Sequence, residues 1–226
     1  MLKMLKFSII ALISVFVIAC SGKKSGEATE ETTESAEVVE EKDATSFVDG
    51  TYAFDAENSK VKWHATKITG EHNGTLDLSE GTFTVSNSDI SAGSIKLDLN
   101  SIYVIDLEDK PEMQTKLTNH LKSADFFNVE LSPVAVLDIT SVSEGGEEGA
   151  SHTLNGTLTI KDIKKEVSIP ATISQEGDKI STSAKFKLDR TNWDMMFHQG
   201  FEQWGDKTIN DEFEVEFDLT ATKSAM

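Results

Sequence analysis

The sequence predicts an all-β fold of antiparallel strands, and three observations carry that prediction. From about residue 50 onward, apolar and polar side chains alternate at period two. Short stretches rich in Gly, Asn and acids, of the kind tight turns require, separate the alternating runs. The alternation is clean, so each strand has one buried and one wet face, which excludes a parallel sheet covered on both sides.

The elements follow in order. VKWHATKI sets Val61, Trp63 and Ala65 against Lys62, His64 and Thr66, and GTFTV does the same with Phe83 and Val85. SIKLDLNSI places Ile95, Leu97 and Leu99 on one face, and VAVLDIT offers Ala135, Leu137 and Ile139. TLNGTLTI, EVSIPATIS, STSAKFKLD and EFEVEFDLTA continue the pattern, for about eight strands. HNGT, SEGT, SEGGEEG and QEGDK read as the turns between them. The Asn-Gly-Thr triplets at Asn73 and Asn155 match a glycosylation sequon but are read here as hairpin turns. A sandwich and a closed barrel both satisfy this pattern.

Between the third and fourth runs the period changes. In DLEDKPEMQTKLTNHLKSADFF, Pro111 suits a first helical turn, and Met113, Leu117 and Leu121 recur at four-residue spacing. One short amphipathic helix is expected, docked by Leu117 and Leu121. Asp125 then caps or pairs at its exit, and Phe126 and Phe127 plug or line the core.

Residues 1–20 read as an export signal. MLKMLK is basic, FSIIALISVFVIA is apolar but short for a bilayer span, and Ala19 precedes Cys20. VIAC resembles a bacterial lipobox, which implies that Cys20 becomes the first mature residue and carries the acyl chains of a membrane anchor. The SGKK that follows leans toward the periplasm, with either membrane as the anchor site. Residues 21–49 are rich in Glu, Ser and Thr and poor in large apolar side chains, so they read as a disordered acidic linker. A coil of about 28 residues spans about 30 Å. The folded domain is placed at residues 50–222.

The formal charge of −18 argues against nucleic acid and against peripheral binding to anionic headgroups. It becomes more negative still once Lys3 and Lys6 leave with the leader. His64, His72, His120, His152 and His198 are scattered, with no metal-ligand spacing, and no nucleophile elbow or cysteine pair is present. Neither an enzyme nor a metal site is expected.

HLKSADFF, TLTIKDIKKEVSIPATI, LDRTNW and GDKTINDEFEVEFDL together resemble the YceI-like domain over about residues 50–222. The resemblance implies an eight-stranded, lipocalin-like antiparallel barrel, with the short helix between strands 3 and 4, enclosing a polyisoprenoid or similar long-chain lipid. The chain departs from the family pattern at Asn128, at Asp162 where a Gly is usual, and at Trp193 and Asp194. Such changes bear on local backbone freedom at turns and at the cavity mouth.

Strand parity alone leaves a filled core and a cavity equally open, since eight strands lie near the size where either occurs. Ala65, Ala135, Gly156, Ala171 and Ala184 leave space on the inward face. With the resemblance favouring a cavity, the positions expected to contact a lipid are Trp63, Phe83, Leu97, Phe126, Phe127, Leu137, Leu158, Phe186 and Phe217. That lipid, held non-covalently, is the ligand expected; no other cofactor is implied. The alternative is an adaptor lipoprotein with a filled barrel and an acidic interaction surface. Arg190, the only arginine, suits either a lipid headgroup or a structural pair with Asp125, Asp189 or Asp211, and a tie to Asp125 is the pairing expected.

Overall fold

The computed structural model describes residues 46–225, so the expectations for residues 1–20, for Cys20 and for most of the linker lie outside the described residues. Nine strands form one antiparallel sheet: β1 (Gly50–Phe54), β2 (Lys60–Lys67), β3 (Gly70–Ser86), β4 (Asp89–Val104), β5 (Val134–Glu144), β6 (His152–Ile160), β7 (Ile163–Glu176), β8 (Lys179–Asp189) and β9 (Ile209–Lys223). From β2 to β9 each strand pairs with the next, and β2 pairs with β9 to close the ring. Eight strands therefore make a closed barrel, which leaves the ring without a free edge.

The ninth strand is an addition to the sequence reading. β1 pairs with the far half of β3 and with the end of β9, so β1 and β2 share one seam of the barrel in succession. Between them Asp55 Oδ1 accepts hydrogen bonds from the Glu57 and Asn58 amides, an Asx turn that breaks the strand. Residues 46–49, placed in the linker on composition, carry Phe47 into the core at 4 % exposure.

The turn readings divide. SEGGEEG and QEGDK do connect strands, the latter with Gly177 at φ 57°. HNGT, SEGT and the Asn155 triplet do not, because each lies inside a strand. A Cβ on Gly74 would sit 1.8 Å from the Tyr103 carbonyl, and one on Gly156 would sit 2.2 Å from the Asp138 carbonyl. These glycines allow backbones to approach where the barrel bends, the second reason for glycine in a strand. Shifts of register between β3 and β4 at Thr75/Asp77, Leu78/Glu80 and Thr84/Val85 bend the same long hairpin.

The departures from the family pattern leave the backbone path usable. Asn128, Asp162 and Asp194 all take left-handed conformations, at φ 50°, 61° and 52°, which Asn and Asp tolerate better than other side chains. Lys161 and Asp162 form the two-residue turn joining β6 to β7, and the Asp162 carboxylate also accepts a bond from Ser132 Oγ.

The helix α1 (Pro111–Lys122) joins β4 to β5, with Pro111 in its first turn. It is shallowly docked: Leu117 and Leu121 are half-buried, and Met113 is exposed. A second, one-turn helix, α2 (Phe201–Trp204), lies in the long connection from β8 to β9. One end of the barrel is filled by Tyr52, Phe54, Phe83, Val85 and Ile90, all buried. The opposite end, under α1 and the β8–β9 connection, is hollow.

Candidate functional site

Alternation along the strands delivers apolar side chains to the barrel axis from nearly every direction. They line a cavity of about 130 Å³ whose walls are almost wholly apolar. Eight of the nine residues expected at a lipid site line it. Trp63, Leu97, Leu137, Leu158, Phe186 and Phe217 come from the strands, and Phe126 and Phe127 come from the segment after α1. The ninth, Phe83, does not. It packs edge-on against Phe54 at 4.8 Å in the filled end, because its half of β3 pairs with β1. The barrel interior is therefore not wholly filled by its own side chains. Among the small residues Ala65 and Ala135 open space on the wall, whereas Gly156 serves backbone approach.

The segment after α1 forms one wall by wrapping tightly. The amides of Phe127, Asn128 and Val129 bond to the carbonyls of Leu121, Ser123 and Lys122, which turns Phe126 and Phe127 inward. Phe126 meets Phe197 at 5.7 Å, and the His120 ring stands edge-on to both, at 5.0 and 4.5 Å. Beyond this partition lies a second hollow of about 380 Å³, bounded by α1, the β2–β3 hairpin and the β8–β9 connection. Trp63, Ala65, Leu121, Phe126 and Ile209 line both spaces and so form the wall between them.

The expected tie between Arg190 and Asp125 is absent. Arg190 Nη2 pairs with Asp211 at 3.0 Å and donates to the Ile209 carbonyl, Nε donates to the Asn210 carbonyl, and Nη1 donates to the Met195 carbonyl. Asp211 wins because β8 and β9 are neighbours with Asp189 opposite Glu212, so Arg190 leaves its strand beside the start of β9. Asp189 accepts from the Thr191 amide at the turn, and Asp125 instead meets His120 Nε2 at 3.1 Å. Burial pulls the Arg190 guanidinium down, while Asp211 and then Asp189 push it back up. With donors turned to carbonyls and Asp211, Arg190 acts as a structural clamp where it lines the cavity.

Polar groups near the partition are few and specific. His72 Nδ1 lies 2.8 Å from Asp106, which also accepts the Asn73 amide. Burial acts to raise the Asp106 carboxyl, but the Asn73 and His72 hydrogen bonds outweigh it and hold it below the usual carboxylate range. Trp63 Nε1 is buried with no acceptor among the described residues. Sequence reasoning passed over Phe213, whose alternation with Val215 and Phe217 does reveal it, and Phe197, which sits in irregular chain with no periodic signal.

The comparisons with known proteins agree on the architecture. The YceI-like domain pattern matches residues 52–221. Protein YceI of Escherichia coli O6:H1 is 30 % identical over 105 residues, 46 % of this chain and 50 % of that protein. A UPF0312 protein of Pseudomonas aeruginosa is 30 % identical over 99 residues, 44 % of this chain and 47 % of that protein. The chain thus spans about half the length of these curated relatives. Among solved structures, Burkholderia cenocepacia BcnA superposes with a TM-score of 0.59 at 21 % identity, covering 75 % of this chain and 99 % of that one. A polyisoprenoid binding domain from Saccharophagus degradans gives 0.55 at 13 % identity, covering 76 % and 98 %. At these identities the likeness is one of fold.

Proposed function

The chain belongs to the YceI-like domain family, and from that premise we propose that it is a lipid-binding barrel that sequesters or carries a long-chain isoprenoid-like or fatty lipid. The observation that carries this reading is the apolar cavity inside the barrel. Hydrocarbon buried there gains about 0.8 kcal/mol per CH₂, so chain length supplies affinity and wall shape supplies selection. The Saccharophagus neighbour, a polyisoprenoid binding domain on the same fold, supports the ligand class.

The volume sets a condition on the ligand. A space of about 130 Å³ resembles engineered apolar cavities of about 150 Å³ that admit one benzene ring. It seats one end of a chain, and the remainder passes the Trp63–Phe126 partition into the second hollow. No step of this reading calls for catalysis, and the histidines that approach the mouth are paired with carboxylates or stacked on rings.

We further propose that the domain works in the periplasm, tethered by acylated Cys20 through the acidic linker; the basic n-region, apolar run and VIAC support this. The test of binding is direct. The chain expressed without residues 1–20 should copurify with a hydrophobic ligand, detected by solvent extraction and mass spectrometry. Protein that yields no lipid, and takes up none when offered, would sink the proposal. For the anchor, Cys20→Ala should release the chain from membranes, and an unchanged membrane fraction would count against it.

A further inference from the structure

The second hollow differs in chemistry from the cavity it adjoins. Lys67 and Lys207 line it together with His72, His120 and His198, and no carboxylate is among its lining side chains. In a chain with 39 acids against 21 lysines and arginines, such a grouping runs against the prevailing charge. Asp106 and Asp125 are bound to two of its lining histidines, to His72 at 2.8 Å and to His120 at 3.1 Å. Among the described residues, neither Lys67 nor Lys207 makes an ion pair.

Two further details point the same way. Trp63 lines both hollows, so an apolar ring stands where the cavity adjoins the basic space. His198 takes a left-handed backbone, φ 50°, and its ring stacks on Phe197 at 4.0 Å and against Trp204 at 4.3 Å, which fixes it at the rim.

We propose that this hollow seats the anionic head of a single-chain amphiphile, a carboxylate or a phosphate, while the far end of its hydrocarbon enters the barrel. Lys67 and Lys207 supply the charge that holds the head. This rests on the reading of the barrel as a lipid container. Burial of the chain gives affinity, and the basic hollow sets which end of the lipid stays outside and what charge it bears.

The test titrates the full-length chain, freed of bound lipid, with two matched pairs: farnesol against farnesyl phosphate, and hexadecanol against palmitate. At low salt at least one charged member should bind about tenfold or more tighter than its alcohol, as a charge-assisted hydrogen bond contributes, and the phosphate and carboxylate arms identify the head. Salt should erode that advantage, and the K67Q/K207Q double variant should abolish it. K185Q, on the outer wall and paired with Glu214, should keep it. Equal affinity for alcohol and acid in both pairs, or an advantage that survives K67Q/K207Q in protein with a wild-type melting profile, overturns the inference while the container reading stands. Binding of none of the four overturns the container reading itself.

Discussion

At the scale of single residues, the sole arginine shows how a buried charge is held. Arg190 is 3 % exposed, and its guanidinium joins three carbonyls and Asp211 across the β8–β9 connection. Removing the guanidinium leaves the carbonyls it holds without their donor, each a cost of about 1–3 kcal/mol where it stays buried, while Asp211, its side chain 42 % exposed, turns to solvent. Urea denaturation of Arg190→Met should show a loss of that order. In double-mutant cycles Arg190 should couple to Asp211 and not to Asp125; the reverse pattern would refute the assignment. His152 makes a separate, pH-dependent contribution. Burial lowers its pKa below the usual 6.5, against a smaller opposing pull from Glu144. The unfolded chain therefore binds the proton first, so stability is fully present above pH 6.5 and is lost as pH falls below it toward the depressed folded value. Melting temperature measured from pH 7 to 5 should fall less steeply in His152→Gln; identical slopes would remove His152 from the account.

At the scale of elements, the strands are shaped by backbone geometry as much as by side-chain alternation. Gly156 and Gly74 sit where a Cβ would strike a neighbouring carbonyl, whereas Asn87 and Ser88 form a two-residue turn at φ 56° and 67°. The two situations predict opposite signs in one thermal-melting series. Gly156→Ala should destabilise by about 1–3 kcal/mol. Ser88→Gly, which supplies the favoured Asn-Gly pair, should stabilise by about 1 kcal/mol. The same contrast explains what could be read beforehand. QEGDK was legible as a hairpin, but HNGT and the Asn155 triplet misled, because glycine for a turn and glycine for close approach look alike in a string. β1 went unread because five residues, GTYAF, carry too little period to stand out. The amphipathic helix was legible from Pro111 and the Leu117–Leu121 spacing, although its docking is shallow.

At the scale of the whole molecule, one barrel holds a filled end and a hollow end. Tyr52, Phe54 and Phe83 occupy the first, and Ala65 and Ala135 make room in the second. Ala135 offers a test that leaves the fold in place. Ala135→Phe should fill the cavity and lower the amount of lipid extracted per chain, with the circular dichroism spectrum of the barrel retained. A full lipid complement in a folded Ala135→Phe barrel would show that the ligand lies elsewhere. The outer wall carries cross-strand pairs such as Lys62–Glu216 at 2.6 Å and Lys185–Glu214 at 2.9 Å. Exposed pairs of this kind contribute little stability each, so the apolar interior carries both the fold and the binding reading.

The sequence by itself determined which side chains point inward, since period two assigns each residue to a face whatever the strand's neighbours are. It placed the helix between two identifiable strands, and it named eight of the residues that line the cavity. Only the tertiary structure decided how those strands close, how much room the closure leaves, and which carboxylate Arg190 meets. These depend on pairing between segments far apart in the chain. Alternation fixes direction but not radius, and a one-residue change of register changes every partner across a strand. The basic hollow is the clearest case. Lys67, His72, His120, His198 and Lys207 lie on four separate segments, and nothing short of the closed barrel brings them to one mouth.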